Sequence, residues 1–192
     1  ELCGCIQGLL VHLFELRLYG VSLPPAERAN AEIESAAELI GSILSRDDQP
    51  LTVARPAARR LGAICRQFVL LACASLRQHG VPALCRGGFA NYLARGRWVG
   101  HSVCEFWDQQ QLRWRRFDPQ LDALQREAHA IDFDVLDVPQ AAYLSGAEAW
   151  LAWRGGQLPA EHVEGGVANL RNGVVLDLWE SCKLEAHRHR PA

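Results

Sequence analysis

The chain has 192 residues, of which 49% are hydrophobic and 22% charged, and a formal net charge of −2 at pH 7. That length and balance suit one globular domain, 1–192, with a sizeable core. The near-neutral charge leaves no basic footprint, which excludes nucleic acid as the main partner. The longest apolar stretch, 68–76, is far too short to span a bilayer, and no n-region, h-region and cleavage site opens the chain. No membrane partner and a cytoplasmic location are therefore expected. The seven cysteines, Cys3, Cys5, Cys65, Cys73, Cys85, Cys104 and Cys182, are odd in number and lack a tight spacing framework. They point to a reducing compartment and free thiols. No paired C-x₂₋₄-C units suggest zinc. Lys183 is the one lysine among 20 basic residues, which reads as codon bias in a GC-rich genome.

In chain order, Leu2 to Tyr19 reads as an amphipathic helix, with Leu9, Leu10, Leu13 and Leu16 on its apolar stripe and Gly20 as its stop. Pro24-Pro25 opens a second helix, whose apolar face carries Ile33, Ala36, Ala37, Ile40, Ile43 and Leu44. Arg46 to Leu61, polar and carrying Pro50 and Pro56, reads as a loop. Cys65 to His79 is rich in Leu, Ala, Val and Phe and stops at Gly80-Val81-Pro82, which predicts a helix with Gly62 as an acceptable N-cap. Strands follow near 83–93, 98–108 and 112–118. Asp122 to Pro139 is irregular and acidic. Gln140 to Arg154 reads as helix, ended by Gly155-Gly156, and a last helix runs near Gly166 to Leu184. The His187-Arg188-His189-Arg190 end reads as a loose, solvated tail over 186–192. This order of helices and strands is α+β.

The chemistry centres on Cys65, His101 and Asp118. Cys65 falls in the first turn of its helix, where free N–H groups and the positive helix end favour a thiolate and supply oxyanion donors. If Gln109 and Gln110 form a two-residue hairpin loop, Asp108 pairs with Gln111, Trp107 faces Leu112, Glu105 faces Trp114 and Val103 faces Arg116. His101 then faces Asp118, with Cβ atoms about 4.5–5.5 Å apart. Gln-Gln is a poor primed turn, and a longer loop or bulge would shift this register. Taken singly, Cys65 reads as a core cysteine, His101 as an ordinary strand histidine and Asp118-Pro119 as a turn. Taken together, thiol, imidazole and carboxylate are what acyl transfer through cysteine needs.

The stretches Cys65-Arg66-Gln67-Phe68, Gly80 to Tyr92, Gly100-His101-Ser102-Val103-Cys104-Glu105-Phe106-Trp107-Asp108 and Trp114-Arg115-Arg116-Phe117-Asp118-Pro119-Gln120-Leu121-Asp122 resemble the bacterial transglutaminase-like superfamily. Arg46 to Leu51, Ile131 to Pro139, Gly146 to Trp150 and Asn169 to Leu178 extend the resemblance over most of the chain. Papain-type proteases fit less well, since they place their histidine more than about 100 residues beyond the cysteine. The resemblance implies a papain-like fold, with a central nucleophile helix packed on an antiparallel sheet and flanking helices. It also implies Cys65 as nucleophile, His101 as general base and acid, and Asp118 as the orienting carboxylate. The expected activity is transfer or hydrolysis of an amide or thioester, with no cofactor and no metal. The donor would be a small molecule, a peptide or a carrier-bound acyl group, and the acceptor water or an amine; enzymes with this triad also form amide bonds in natural-product pathways. The chain departs from the usual Gly-Asn-Cys or Gly-Asp-Cys with Ala63-Ile64-Cys65, from Cys-Arg-Asp with Gln67, and from a Leu-Pro-Trp-Asp-like end with Lys183 to Arg190. The first two departures motivate an alternative, a binding module that keeps the fold without catalysis. A third reading is an assembly protein that uses the N-terminal apolar stripe.

Overall fold

The computed structural model describes residues 1–182. The tail over 186–192, the closing segment Lys183 to Arg190 and the expected end of the last helix at Leu184 lie outside the described residues.

The N-terminal apolar run is divided rather than continuous helix. Helix α1 spans Leu2–Leu9, strand β1 spans Leu10–His12, and a 3-10 turn covers Leu16–Tyr19. Leu9, Leu10 and Val11 are all buried, so no exposed face is left for a helix to present. Helical stripe and buried strand look alike over such short apolar runs, and tertiary pairing decides. Strand β1 pairs in parallel with β2, Leu61–Ala63, setting Leu10 opposite Leu61 and His12 opposite Ala63.

The expected second helix is also divided. A 3-10 segment covers Pro25–Glu32, and helix α2, Ala36–Arg46, starts afresh. Ser35 caps α2 by accepting from the Glu38 N–H at 3.4 Å. Ser followed three residues later by Glu is an N-terminus signature, and it marks this break. Helix α3, Cys65–Gln78, follows directly on β2. Its N-cap is Ile64 rather than Gly62, which lies inside β2.

The main sheet has four strands, β3 (Ala83–Ala90), β4 (Val99–Asp108), β5 (Arg113–Phe117) and β6 (Tyr143–Ser145), in the order β5-β4-β3-β6 and antiparallel throughout. Strand β6 was expected as helix. It pairs with β3 because Gly88 lets the chains approach: a Cβ there would lie 2.2 Å from the Leu144 carbonyl oxygen. Ser145 then caps helix α5, Gly146–Arg154, reciprocally with Glu148. Helix α4, Ala123–Ala128, was also unexpected. Asp122 caps it by accepting from the Gln125 N–H at 3.0 Å. Helix α6 spans Gly166–Ser181.

The core falls into three apolar clusters. The largest packs Phe68, Val69 and Ala72 of α3 against Leu39 and Ile43 of α2, Ile6 and Leu9 of α1, and Ala83, Cys104 and Phe117 of the sheet. A second gathers Phe89, Ala149 and Leu170 between sheet, α5 and α6. A third holds Ala90, Val103, Val138 and Tyr143. The architecture is α+β and papain-like, with the cysteine helix packed against an antiparallel sheet.

Candidate active site

Cys65 is the first residue of α3. Its position is set from both sides. The rest of the first turn anchors in the core through Phe68 and Val69, while β2 delivers the chain from a parallel pair. Gln67 ties the helix start in place. Its Oε1 accepts from the Ile64 N–H at 3.1 Å, and its Nε2 donates to the carbonyls of Ala31 and Ile33 at 3.1 and 2.9 Å. Gln67 is fully buried. The departure from Cys-Arg-Asp thus places a side chain long enough to cap the helix and reach the segment before α2. Helix-opening N–H groups at Cys65 and Arg66 precede the first intrahelical bond and point toward the cleft end of the helix.

His101 lies on β4, opposite Gly88 of β3. The β4–β5 register differs from the two-residue hairpin. Asp108 pairs with Arg113, Trp107 with Trp114 and Glu105 with Arg116, around a four-residue loop, 109–112. Gln109 and Gln110 lack the left-handed preference of a primed turn. Instead Asp108 Oδ1 accepts from the N–H groups of Gln110 and Gln111, and Leu112 takes the left-handed conformation at φ 52°. Pairing ends at Cys104 and Phe117, so His101 and Asp118 are not ladder partners. The shift is two residues, which preserves the face each side chain occupies. Beyond the strand the Asp118 N–H donates to the Val135 carbonyl at 2.9 Å. Its side chain turns back to His101, whose Nε2–H donates to Asp118 Oδ2 at 2.7 Å.

Asp118 is wholly enclosed and gathers two further donors. Tyr92 O–H reaches Oδ2 at 2.8 Å, and the Gln120 N–H reaches Oδ1 at 3.0 Å. Burial, then the Asp118 charge, hold the Tyr92 hydroxyl far above its ordinary value, so it remains a donor. Tyr143 O–H donates to the carbonyls of Arg86 and His101, fixing the backbone under the imidazole. With Nε2 committed to Asp118, Nδ1 is the ring atom left for the thiol.

The electrostatics of the pair are reciprocal. Burial alone would raise the Cys65 thiol, but hydrogen bonds to His101 and His12, and the charge of His101, outweigh it and hold the thiol well below its ordinary value. Burial alone would likewise lower His101. The Asp118 charge, its hydrogen bond and the Cys65 contact instead raise the imidazole to about 10. Both shifts favour a thiolate–imidazolium ion pair. Three other thiols shift the opposite way: burial pushes Cys3 up to about 11, and Cys73 and Cys85 are raised within a cluster of mutually bonded thiols.

A cavity of about 560 Å³ opens onto Cys65, bounded by β3, β4, the start of α3 and α6. The structure brings Cys65, His101 and Asp118 together there. Sequence reasoning missed two neighbours. Tyr92 lay within a quoted stretch but was given no role. His12, in an apolar run taken for helix, lines the cavity with Cys65 and helps to lower its thiol. Its one signal was a polar ring in the otherwise apolar segment Leu9 to Phe14.

Among the described residues no group of three or more His, Cys, Asp or Glu side chains is arranged to hold a metal ion, and no helix is long and apolar enough to cross a membrane. Comparison with curated proteins and with solved structures gave no match. Residues 26–119 match the family model described as the transglutaminase-like superfamily, a span that contains α2, α3, β3, β4 and β5 and with them Cys65, His101 and Asp118. By that match, and with its cysteine helix set against an antiparallel sheet, the chain carries a transglutaminase-like superfamily domain over residues 26–119.

Proposed function

We propose that the chain is a cysteine-dependent acyl-transfer enzyme that works through a thioester on Cys65. The observation that carries this reading is the Cys65–His101–Asp118 relay, with a buried His101–Asp118 hydrogen bond behind a thiol at the cavity, in which thiol and imidazole shift in the directions an ion pair needs. In the first half-reaction the Cys65 thiolate attacks the carbonyl carbon of an amide or thioester. The carbon–sulfur bond forms and the carbonyl electron pair moves to oxygen. On collapse the leaving amine or thiolate takes the His101 proton. In the second half-reaction His101, now neutral, accepts a proton from water or an amine as it attacks the thioester, and Cys65 leaves as thiolate. The products are an acid or a new amide. Asp118 holds the ring orientation and stabilises the imidazolium throughout. The donor is an amide- or thioester-bearing small molecule, peptide or carrier-bound acyl group.

The test is covalent capture. The protein is incubated with acyl N-acetylcysteamine thioesters and with a glutamine-containing peptide, and peptide mass spectrometry locates the adduct. The expected result is a gain of one acyl group at Cys65 that hydroxylamine removes, absent in Cys65→Ala and strongly reduced in His101→Ala. An unmodified Cys65 with every donor, in a protein whose cleft still binds them, would make this chain a binding module with an inert cleft.

A further inference from the structure

We propose that His12 is a second catalytic histidine, whose ring N–H donates to the oxyanion of the acyl group on Cys65 and, with the Cys65 backbone N–H, completes the oxyanion site. The proposal rests on the acyl-transfer reading above and deepens it.

The observations are independent of the His101 relay. Strand β1 runs parallel to β2 and sets His12 opposite Ala63, two positions before the nucleophile. The His12 side chain lines the cavity together with Cys65 and helps to hold the Cys65 thiol down. It is only 9% exposed, and its Nδ1 is buried without a hydrogen-bond partner among the described residues. A buried polar atom left unpaired costs free energy, so the ring is held here by its packing and not by a hydrogen bond at Nδ1. The ring neighbours are aromatic: Phe14 at 5.6 Å, edge-on, and Phe68 at 6.4 Å. Among the described residues no carboxylate pairs with His12, whereas Asp118 pairs with His101.

These facts separate the two rings by task. His101 has a built-in carboxylate to stabilise a positive charge, which general base and acid work requires. His12 has none, but an imidazole carries an N–H in either protonation state, and donation needs only that. The resting thiol and the later oxyanion are close neighbours, since the oxygen is bonded to the carbon that sulfur attacks. A ring N–H already set beside the sulfur is thus prepositioned for that oxygen. His12 transfers no proton. As the carbon–sulfur bond forms, the carbonyl pair moves to oxygen and is met by His12 N–H and Cys65 N–H. On collapse the carbonyl re-forms, the bond to the leaving group breaks, and His101 supplies the leaving group's proton.

Two probes discriminate, because only one passes through an oxyanion. Acylation by p-nitrophenyl acetate does; alkylation by iodoacetamide, a displacement of iodide at saturated carbon, does not. Both rates at Cys65 are read on the alkaline plateau of each variant, where the thiol is fully ionised. His12→Phe keeps the ring volume against Phe14 and Phe68 but removes the donor. His12→Gln keeps a donor. Loss of one oxyanion donor lowers such rates by about 10²–10³, and that fall is expected for acylation of His12→Phe, with alkylation nearly unchanged and His12→Gln recovering much of the loss. Should His12→Phe fail to melt cooperatively, His12→Ala takes its place. Equal acylation of the donorless variant and the unmodified protein would overturn the proposal, as would a parallel fall of both rates. An unmodified protein that alkylates but never acylates would overturn the acyl-transfer reading itself, and the role of His12 with it.

Discussion

Asp118 carries more of the site's order than its single carboxylate suggests. It accepts from His101, Tyr92 and the Gln120 backbone at once, and no water-exposed edge remains. Asp118→Asn keeps the shape but turns one acceptor into a donor that must face Tyr92, His101 or the Gln120 N–H. The expected fall in acyl transfer is about 10²–10⁴, the range for removing a general acid–base partner's support. Tyr92→Phe removes one hydrogen bond to a charged group, about 1.5–3 kcal/mol, and is expected to lower the rate by roughly tenfold or more while leaving Cys65 alkylation intact; a single-turnover assay of both variants checks the order. The meeting of His101 and Asp118 was legible in the sequence although the hairpin was misjudged. A shift of two residues leaves each side chain on its own face, where a shift of one would have parted them. His12 was not legible, because its place beside Cys65 depends on a parallel pairing between β1 and β2, segments far apart in the chain.

The start of α3 is the element on which the site turns. It was readable as a helix with Cys65 in its first turn, since the apolar run and the Gly80-Val81-Pro82 stop are local signals. What holds it was not readable. Gln67 was seen only as a departure, yet it joins Ile64 to the carbonyls of Ala31 and Ile33. Gln67→Ala leaves those buried groups unpaired. The expected cost is about 1–3 kcal/mol, and each kcal/mol lowers the melting temperature by about 2–4 °C in a chain of this size. Thermal denaturation followed by circular dichroism measures it; an unchanged melting temperature would mean that the first turn is held by core packing alone. The divided N-terminal run and the short β6 escaped local reading for one reason. Their secondary structure is chosen by a partner, β2 in one case and Gly88 of β3 in the other.

At the scale of the molecule, the α+β architecture was legible from the order of helices and strands, and the buried ion pair gives it a distinct pH signature. The folded pair holds one proton, on His101. Between the ordinary imidazole value of 6.5 and the ordinary thiol value of 9.0 the unfolded pair also holds one, on sulfur. The pair therefore adds no slope to stability in that window. Below 6.5 the unfolded imidazole takes up a second proton and stability falls with falling pH. Above 9.0 the unfolded chain has lost its proton while His101 keeps its own until about 10, so stability falls with rising pH. In Cys65→Ser the sulfur's proton is gone from the unfolded chain, and Asp118 still raises His101. Its stability is expected to fall, relative to the unmodified protein, from about 6.5 upward; melting temperatures across pH for both chains check this, and parallel curves would argue against the pair.

The central claim, a working Cys65–His101 pair, is tested most directly by the pH dependence of Cys65 alkylation by iodoacetamide, with sites read by mass spectrometry. The unmodified protein and His101→Ala are run side by side, with Cys73 and Cys85 as internal references whose thiols are held high. The account predicts that Cys65 reacts well below the ordinary thiol range, ahead of both references, and that His101→Ala moves its midpoint upward. A Cys65 that reacts only in the ordinary thiol range, with the same midpoint in both proteins, would contradict it.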